Sequence, residues 1–353
     1  MVDSVLALLQ KGDVPRKQVV DPWSQRLSTY DSPRVSSYSG HSRALVKVQE
    51  GCDEFCAYCL IPYLRGPVRG RPPKEIVAEV TRLVDGGFRE VVLTGIHLGA
   101  YERCPDIDES LPGLLERLLR IPGRWRLRLS SVEPMDLDDR LFEVMASSSR
   151  MARHLHLPLQ SGTGRTLERM GRRYTPSQYC ELVDQARGHM PDLGLSTDVM
   201  VGFPGEEEED HSRTLDFARK IRFSRIHAFP FSVRPGTRAA RMDDQVPPEI
   251  IRRRRDDVLE LARDSAAAFH QEQVDRSAEV LVEDQRNDHP FVAGPRGWTH
   301  YYGYTGNYVP TWVLAPDGAF RVGQILRVQV VDAAQEGCLA VPIGSGGFNS
   351  VSE

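Results

Sequence analysis

The sequence has no disulfide framework, no run long enough to cross a membrane and no marked excess of charge. Six cysteines occur in 353 residues, and none precedes Cys52. Three of them crowd into one short stretch rather than pairing along the chain, which points to a reducing compartment. The apolar run Val5–Leu9 is far short of a bilayer span and lacks the basic flank of a secretion signal. A cytoplasmic protein without membrane contact is expected. A net charge of −4 provides no global pull toward nucleic acid, so any RNA contact has to be a local patch. With 40% apolar and 27% charged residues, the composition is that of an ordinary globular chain, long enough for two domains.

What is present is a concentrated thiolate motif. Cys52, Cys56 and Cys59 form a C-x3-C-x2-C run, with Asp53, Glu54 and Phe55 in the first gap and Tyr58 before the last cysteine. Thiolates are soft ligands for zinc or iron–sulfur clusters. A structural zinc site needs a fourth ligand at short spacing, and Cys104, His41 and His97 do not provide one. Three thiolates without a fourth partner suit a cluster with one open iron. The hydrophilic Asp53 and Glu54 between them argue against three merely buried cysteines.

From Arg43 onward, strand and helix patterns alternate. Strands are expected over 44–49, 90–95, 126–131, 195–201 and 225–231, with a strand and turn over 154–162. Helical spacing falls over 73–84, 111–119, 137–145, 176–190 and 206–221. The fold class is α/β. Six β–α repeats predict a parallel sheet with helical crossovers, too few to close an eight-stranded barrel, and hence an open or partial one. In such sheets ligands bind at the carboxyl ends of the strands. There the sequence places the Cys loop, Thr94–Gly99, Ser130–Pro134, Gln160–Gly162, Gly202–Glu206 and Ser232–Thr237.

Pro247 and Pro248 open a long helix to about Val274. Arg252–Arg255 on its first half read either as a solvated run or as a phosphate-contacting patch. The acidic run Glu206–Asp210 reads as a solvated helix start that complements the macrodipole. Residues 275–345 break into short strand-like runs, as in a small barrel. The aromatics of Tyr301–Tyr308 offer faces on which bases stack, although alternate ones must point inward. Pro15, Pro22, Pro33 and a Ser-rich stretch mark the start of the chain as linker.

Taken together, these stretches resemble the radical S-adenosylmethionine (SAM) methylthiotransferases. The resemblance runs from residue 43 to about 342. It rests on the Cys loop with Gln49, Glu50 and Gly51 before it, and on His156–Gly162, Met170–Thr175, Asp198–Glu206 and Phe229–Thr237. It implies a partial (β/α)6 radical SAM barrel over 43–271 and, over 272–345, a TRAM domain, a small all-β, OB-like barrel that binds RNA. A tail follows at 346–353. Leu93–Gly99 and Ser130–Pro134 resemble the branch that modifies threonylcarbamoyladenosine beside the tRNA anticodon. The alternatives are the branches acting on isopentenyl-adenosine in tRNA or on an aspartate of a ribosomal protein. Family members begin with a further domain holding a second 4Fe-4S cluster, so residues 1–42 are expected to be a linker or the remnant of a missing N-terminal domain. Glu207 and His211 stand where the family usually has Thr and Phe, a departure expected to be tolerated.

The resemblance also implies the cofactors and their contacts. Cys52, Cys56 and Cys59 hold a 4Fe-4S cluster whose open iron binds SAM; SAM cleavage leads to removal of hydrogen from C2 of the adenine, sulfur insertion there, and methylation by a second SAM. Candidate SAM contacts are Gly95, where backbone can approach the amine, and Ser131 and Glu133 for ribose or amine. Gln160 and Ser161 are candidate neutral donors, Arg172 the partner of the carboxylate, and Asp198 a further contact at a strand end. Each has a plain alternative: Glu133 as a turn cap, Arg172 as a surface charge, Asp198 as an internal acceptor. His97, His154, His156 and His227 read as core histidines, and Cys104, Cys180 and Cys338 as incidental. No side chain is assigned as catalytic. The implied partners are tRNA and an electron donor such as flavodoxin or ferredoxin; the sulfur source is left unidentified. Two competing readings are a radical SAM enzyme of different chemistry and a non-enzymatic RNA-binding module with a vestigial cluster.

Overall fold

The computed structural model describes residues 42–344 apart from 106, 287 and 288. The expected tail, and all but the last residue of the expected linker, lie outside the described residues. Strand β1 (Arg43–Glu50) buries Ala44, Val46 and Val48 on one face and runs straight into the Cys loop at Gly51. Gly51 has φ +77°, and a Cβ there would sit 1.9 Å from the Pro67 carbonyl oxygen, so only glycine closes this turn. β1 pairs in parallel with β3 (Glu90–Gly95), and β3 with β4 (Arg126–Leu129), while the two-residue β2 (Arg69–Gly70) pairs antiparallel to β1. A second parallel set joins β5 (His154–His156), β6 (Gly194–Val201) and β7 (Arg225–Pro230). Single bridges from Leu127 to Met151 and from Ser131 to His156 connect the sets. Six parallel strands therefore follow one another around an arc, and β7 does not return to β1 among the described residues. The partial barrel is as expected.

The helices are α1 (Ile61–Arg65), α2 (Pro73–Asp85), α3 (Leu111–Leu119), α4 (Asp139–Ser147), α5 (Gly164–Met170), α6 (Pro176–His189), α7 (Glu208–Ile221) and α8 (Pro248–Gln271). Their starts follow the sequence. Ser110 and Asp138 cap α3 and α4 through their side chains, and Thr175 with Gln178 forms a capping box ahead of Pro176. The short α1 and α5 show no apolar period long enough to read. The fourth strand is only His154–His156, because Pro158 has no N–H for the ladder, and the expected turn follows with Gln160 at φ +60°.

Two charge runs differ from their sequence reading. Arg254 is buried and bonds the Glu206 carbonyl and carboxylate, each at 3.0 Å. Arg253 pairs with Glu208 at 2.5 Å and Arg255 with Asp256 at 2.7 Å, so neither run is simply a solvated face. Glu206 accepts from the Gly202 N–H at 2.5 Å and ties the turn after β6 to α8. Glu207 and Asp210 form a capping box at the start of α7, and His211 is buried against Asp257 at 3.0 Å, which accommodates both family departures.

Beyond α8, β8 (Ser277–Gln285), β9 (Trp298–Thr305), β10 (Pro310–Pro316), β11 (Ile325–Ala334) and β12 (Gly337–Pro342) close into a five-stranded barrel. Closure comes from a parallel pairing of β10 with β12. Val280, Val282, Tyr301, Val313 and Val328 fill it. This barrel packs on the amino ends of the core strands, opposite the Cys loop. Arg43, Glu90 and Arg126, the first residues of β1, β3 and β4, meet there in one ionic cluster with Arg128, and Glu90 is 0% exposed. Arg126 donates to the Tyr304 carbonyl at 2.8 Å, Arg128 to the Thr305 carbonyl at 3.2 Å, and Arg43 to the Tyr308 hydroxyl at 3.1 Å. The Tyr308 ring lies 4.6 Å from the Arg128 guanidinium and stacks on Tyr304. This corrects the expectation of a base-stacking surface over 301–308. Tyr301 belongs to the barrel core, and Tyr304 and Tyr308 are spent on docking, because two desolvated guanidiniums need aromatic faces and carbonyls more than these rings need solvent.

Candidate active site

The carboxyl ends of the core strands collect the site. After β1 the chain carries Cys52, Cys56 and Cys59, all free thiols and all partly buried. Each sulfur has an N–H group beside it. Cys56 Sγ accepts from Arg172 Nη1 at 3.5 Å, Cys59 Sγ accepts from the Ile61 backbone at 3.4 Å, and Cys52 Sγ lies 3.7 Å from His97 Nδ1. Burial pushes the Cys56 and Cys59 thiols up, while Arg172 and the Ile61 N–H pull them back. A soft three-thiolate set with positive or N–H groups aimed at its sulfurs fits a cluster, which carries negative charge on those atoms. Tyr58 packs edge-on to Phe203, and Phe55, at φ +48°, presents an exposed ring edge-on to Tyr63.

His97, read from the sequence as a core histidine, stands beside the cluster loop. It is buried, its backbone N–H donates to Gln49 Oε1 at 2.7 Å and its Nε2 lies 2.6 Å from Asp136 Oδ2. Burial alone would lower its pKa, but Asp136 and Cys52 outweigh burial and push it up to about 10. Arg103 reaches the same cluster, 3.5 Å from Glu54 and 3.6 Å from Asp136. Asp136 follows the Ser130–Pro134 stretch by two residues, but its pairing with His97, 39 residues away, is revealed only by the fold.

The seven candidate SAM contacts separate. Gly95 ends β3 against Gln49, where a Cβ would meet that side chain at 3.0 Å. Ser131 and Glu133 follow β4, and Glu133 forms a salt bridge with Arg172, which is buried beside Cys56. Arg172 is thus no surface charge, and the pair reaches the cluster loop as one unit. Gln160 and Asp198 line a cavity of about 430 Å³ together with Tyr58, Cys59, Phe229 and Arg234. Asp198 Oδ1 also lies 3.3 Å from His156 Nε2. Ser161 departs from expectation. It is 0% exposed, and its hydroxyl lies 3.3 Å from Thr214 Oγ1 and 3.4 Å from the Thr163 N–H, so it braces α7 instead of facing the cavity. A second cavity of about 430 Å³, lined by Arg187, Arg222 and Glu272, opens between α6, α7 and α8 and contains no cysteine.

The fold and the thiolate loop define a radical SAM core, and the comparisons agree. The family model described as Radical SAM superfamily matches residues 46–218. Threonylcarbamoyladenosine tRNA methylthiotransferase MtaB of Bacillus subtilis (strain 168) is 35% identical over 329 residues, covering 92% of this chain and 69% of that protein. The tRNA-2-methylthio-N(6)-dimethylallyladenosine synthase of Desulfitobacterium hafniense (strain Y51) is 35% identical over 326 residues, 92% of this chain and 70% of that protein. MtaB of Chlamydia pneumoniae is 40% identical over 256 residues, covering 72% of this chain and 60% of that protein. This chain belongs to the radical SAM methylthiotransferases. With that membership come a 4Fe-4S cluster and SAM as cofactors. No helix among the described residues is long and apolar enough to cross a membrane.

Proposed function

We propose that this chain is the catalytic and RNA-binding part of a tRNA methylthiotransferase that acts on C2 of threonylcarbamoyladenosine beside the anticodon. The observation that carries the reading is the meeting of the three-thiolate loop, with N–H groups on its sulfurs, and the Gln160–Asp198 cavity at one rim of a parallel sheet. When bound, the cluster and SAM supply one-electron cleavage chemistry and a methyl group. The protein's part is ligation and placement. Cys52, Cys56 and Cys59 hold the metal; Arg172 stands by Cys56 and, with Glu133, would bind the amino-acid end of SAM. Gly95 and Ser131 would receive the amine and ribose, and Gln160 a neutral polar group across the cavity. Arg234 and the exposed Phe229 at the mouth would meet the nucleotide.

Residues 43–271 form the catalytic core in this reading, and 272–345 a TRAM-type barrel that grips tRNA. A flavodoxin- or ferredoxin-type protein would deliver the electron. The branch assignment rests on Leu93–Gly99 and Ser130–Pro134, since relatives named for threonylcarbamoyladenosine and for dimethylallyladenosine match at the same 35%. Two measurements test it. Anaerobically reconstituted protein should hold about four irons per chain and release 5′-deoxyadenosine under dithionite; absence of iron would support a binding module. Nucleoside mass spectrometry of tRNA from a host lacking its own enzymes should then show the methylthio form of threonylcarbamoyladenosine. Appearance of the methylthio form of dimethylallyladenosine instead would move the chain to the other branch.

A further inference from the structure

We propose that His156, Asp198 and His227 form a second metal site, an open three-ligand site for a divalent ion such as zinc, inside the partial barrel and separate from the cysteines. The three stand on adjacent strands β5, β6 and β7 and share one sheet face, since the register sets His156 opposite Ser196 and Asp198 opposite His227, and one ligand atom from each lies within 4.8 Å of the other two. Two imidazoles and a carboxylate are the donor set of catalytic zinc and related sites that keep a coordination position free. His156 Nε2 and Asp198 Oδ1 are already 3.3 Å apart, close to the edge of a tetrahedron built on bonds of about 2.0–2.1 Å. The His227 ligand atom lies within 4.8 Å of both others, so a ring rotation that draws it inward closes the third side.

The outer shell is built as well. A ligating histidine ordinarily has its other ring nitrogen fixed by a hydrogen bond. Here His156 Nδ1 lies 2.9 Å from Ser196 Oγ, and that hydroxyl is held from its other side by His154 Nε2, also at 2.9 Å. His154 is in turn packed on Tyr308 at 4.7 Å, so the chain of contacts ends in the docked barrel. Asp198 also lines the cavity that contains Cys59. An ion in this place would therefore offer its open position to whatever enters beside the cluster.

The test uses the cluster-loaded protein with one equivalent of zinc and X-ray absorption at the zinc edge. The expected result is a nitrogen/oxygen shell at about 2.0–2.1 Å with imidazole scattering. His227→Gln and Asp198→Asn should each weaken zinc binding at least tenfold, with iron content unchanged as the check on folding. Ser196→Ala, which frees the His156 ring, should weaken it about tenfold. Sulfur scattering at about 2.3 Å, or affinity unchanged in the His227 and Asp198 variants, overturns the proposal. No RNA enters the measurement, so its outcome is independent of the substrate assignment.

Discussion

Glu90 shows how much one residue can hold. Its carboxylate is fully buried among Arg43, Arg126 and Arg128. Burial alone would raise its pKa, but the guanidiniums overcome it and hold the group well below the ordinary carboxylate range. A depressed native pKa means the stabilisation is complete above the unfolded value, about 4.3, and drains away as pH falls from there toward the native pKa. Glu90→Gln should cost about 3–5 kcal/mol at neutral pH by leaving guanidiniums buried without their counter-charge. Urea midpoints measured from about pH 5 down to 3 should lose much of their slope in the variant. Ser161→Ala makes the opposite kind of prediction. It should cost about 1 kcal/mol of stability and leave SAM affinity unchanged by calorimetry, since its hydroxyl is used against Thr214. The cysteines were legible because a metal loop is contiguous in sequence. Glu90 and the His97–Asp136 pair were not, because their partners lie from 36 residues (Arg126) to 47 residues (Arg43) away and meet only through the fold.

At the level of elements, alternation and helical apolar spacing made the six strands and the longer helices readable, and the same signals failed for α1 and α5. The arginine-rich start of α8 was readable as a run but not as a joint. Arg254 binds Glu206, Glu206 binds the Gly202 N–H, and Gly202 at φ +73° leaves no room for a side chain against Ile251. Removing Arg254 alone should cost about 3–5 kcal/mol, whereas replacing both Arg254 and Glu206 with apolar residues of similar size should cost far less. A thermal-unfolding double-mutant cycle reads that difference directly. Exposed Arg252, the fifth residue of the helix, should give no stability change when replaced by alanine.

For the molecule as a whole, the terminal barrel is seated on the core by buried charge and stacked rings, so both should melt together. Calorimetry should show one transition in the parent chain. Tyr308→Ala, which removes the ring between Arg43 and Arg128, should split it into two. A closed barrel was foreseeable from its short strands; its seat was not, since the rings that form it looked like an RNA surface. That seat lies at the opposite end of the strands from the cysteines. The eight residues of β1 set that separation at about 26 Å, at about 3.3 Å of rise per residue. Under the proposed function, a tRNA gripped by the barrel would meet the thiolate end at an offset set by this joint. The protein would then work as a gauge block, picking its target by how far that target stands from the point of grip.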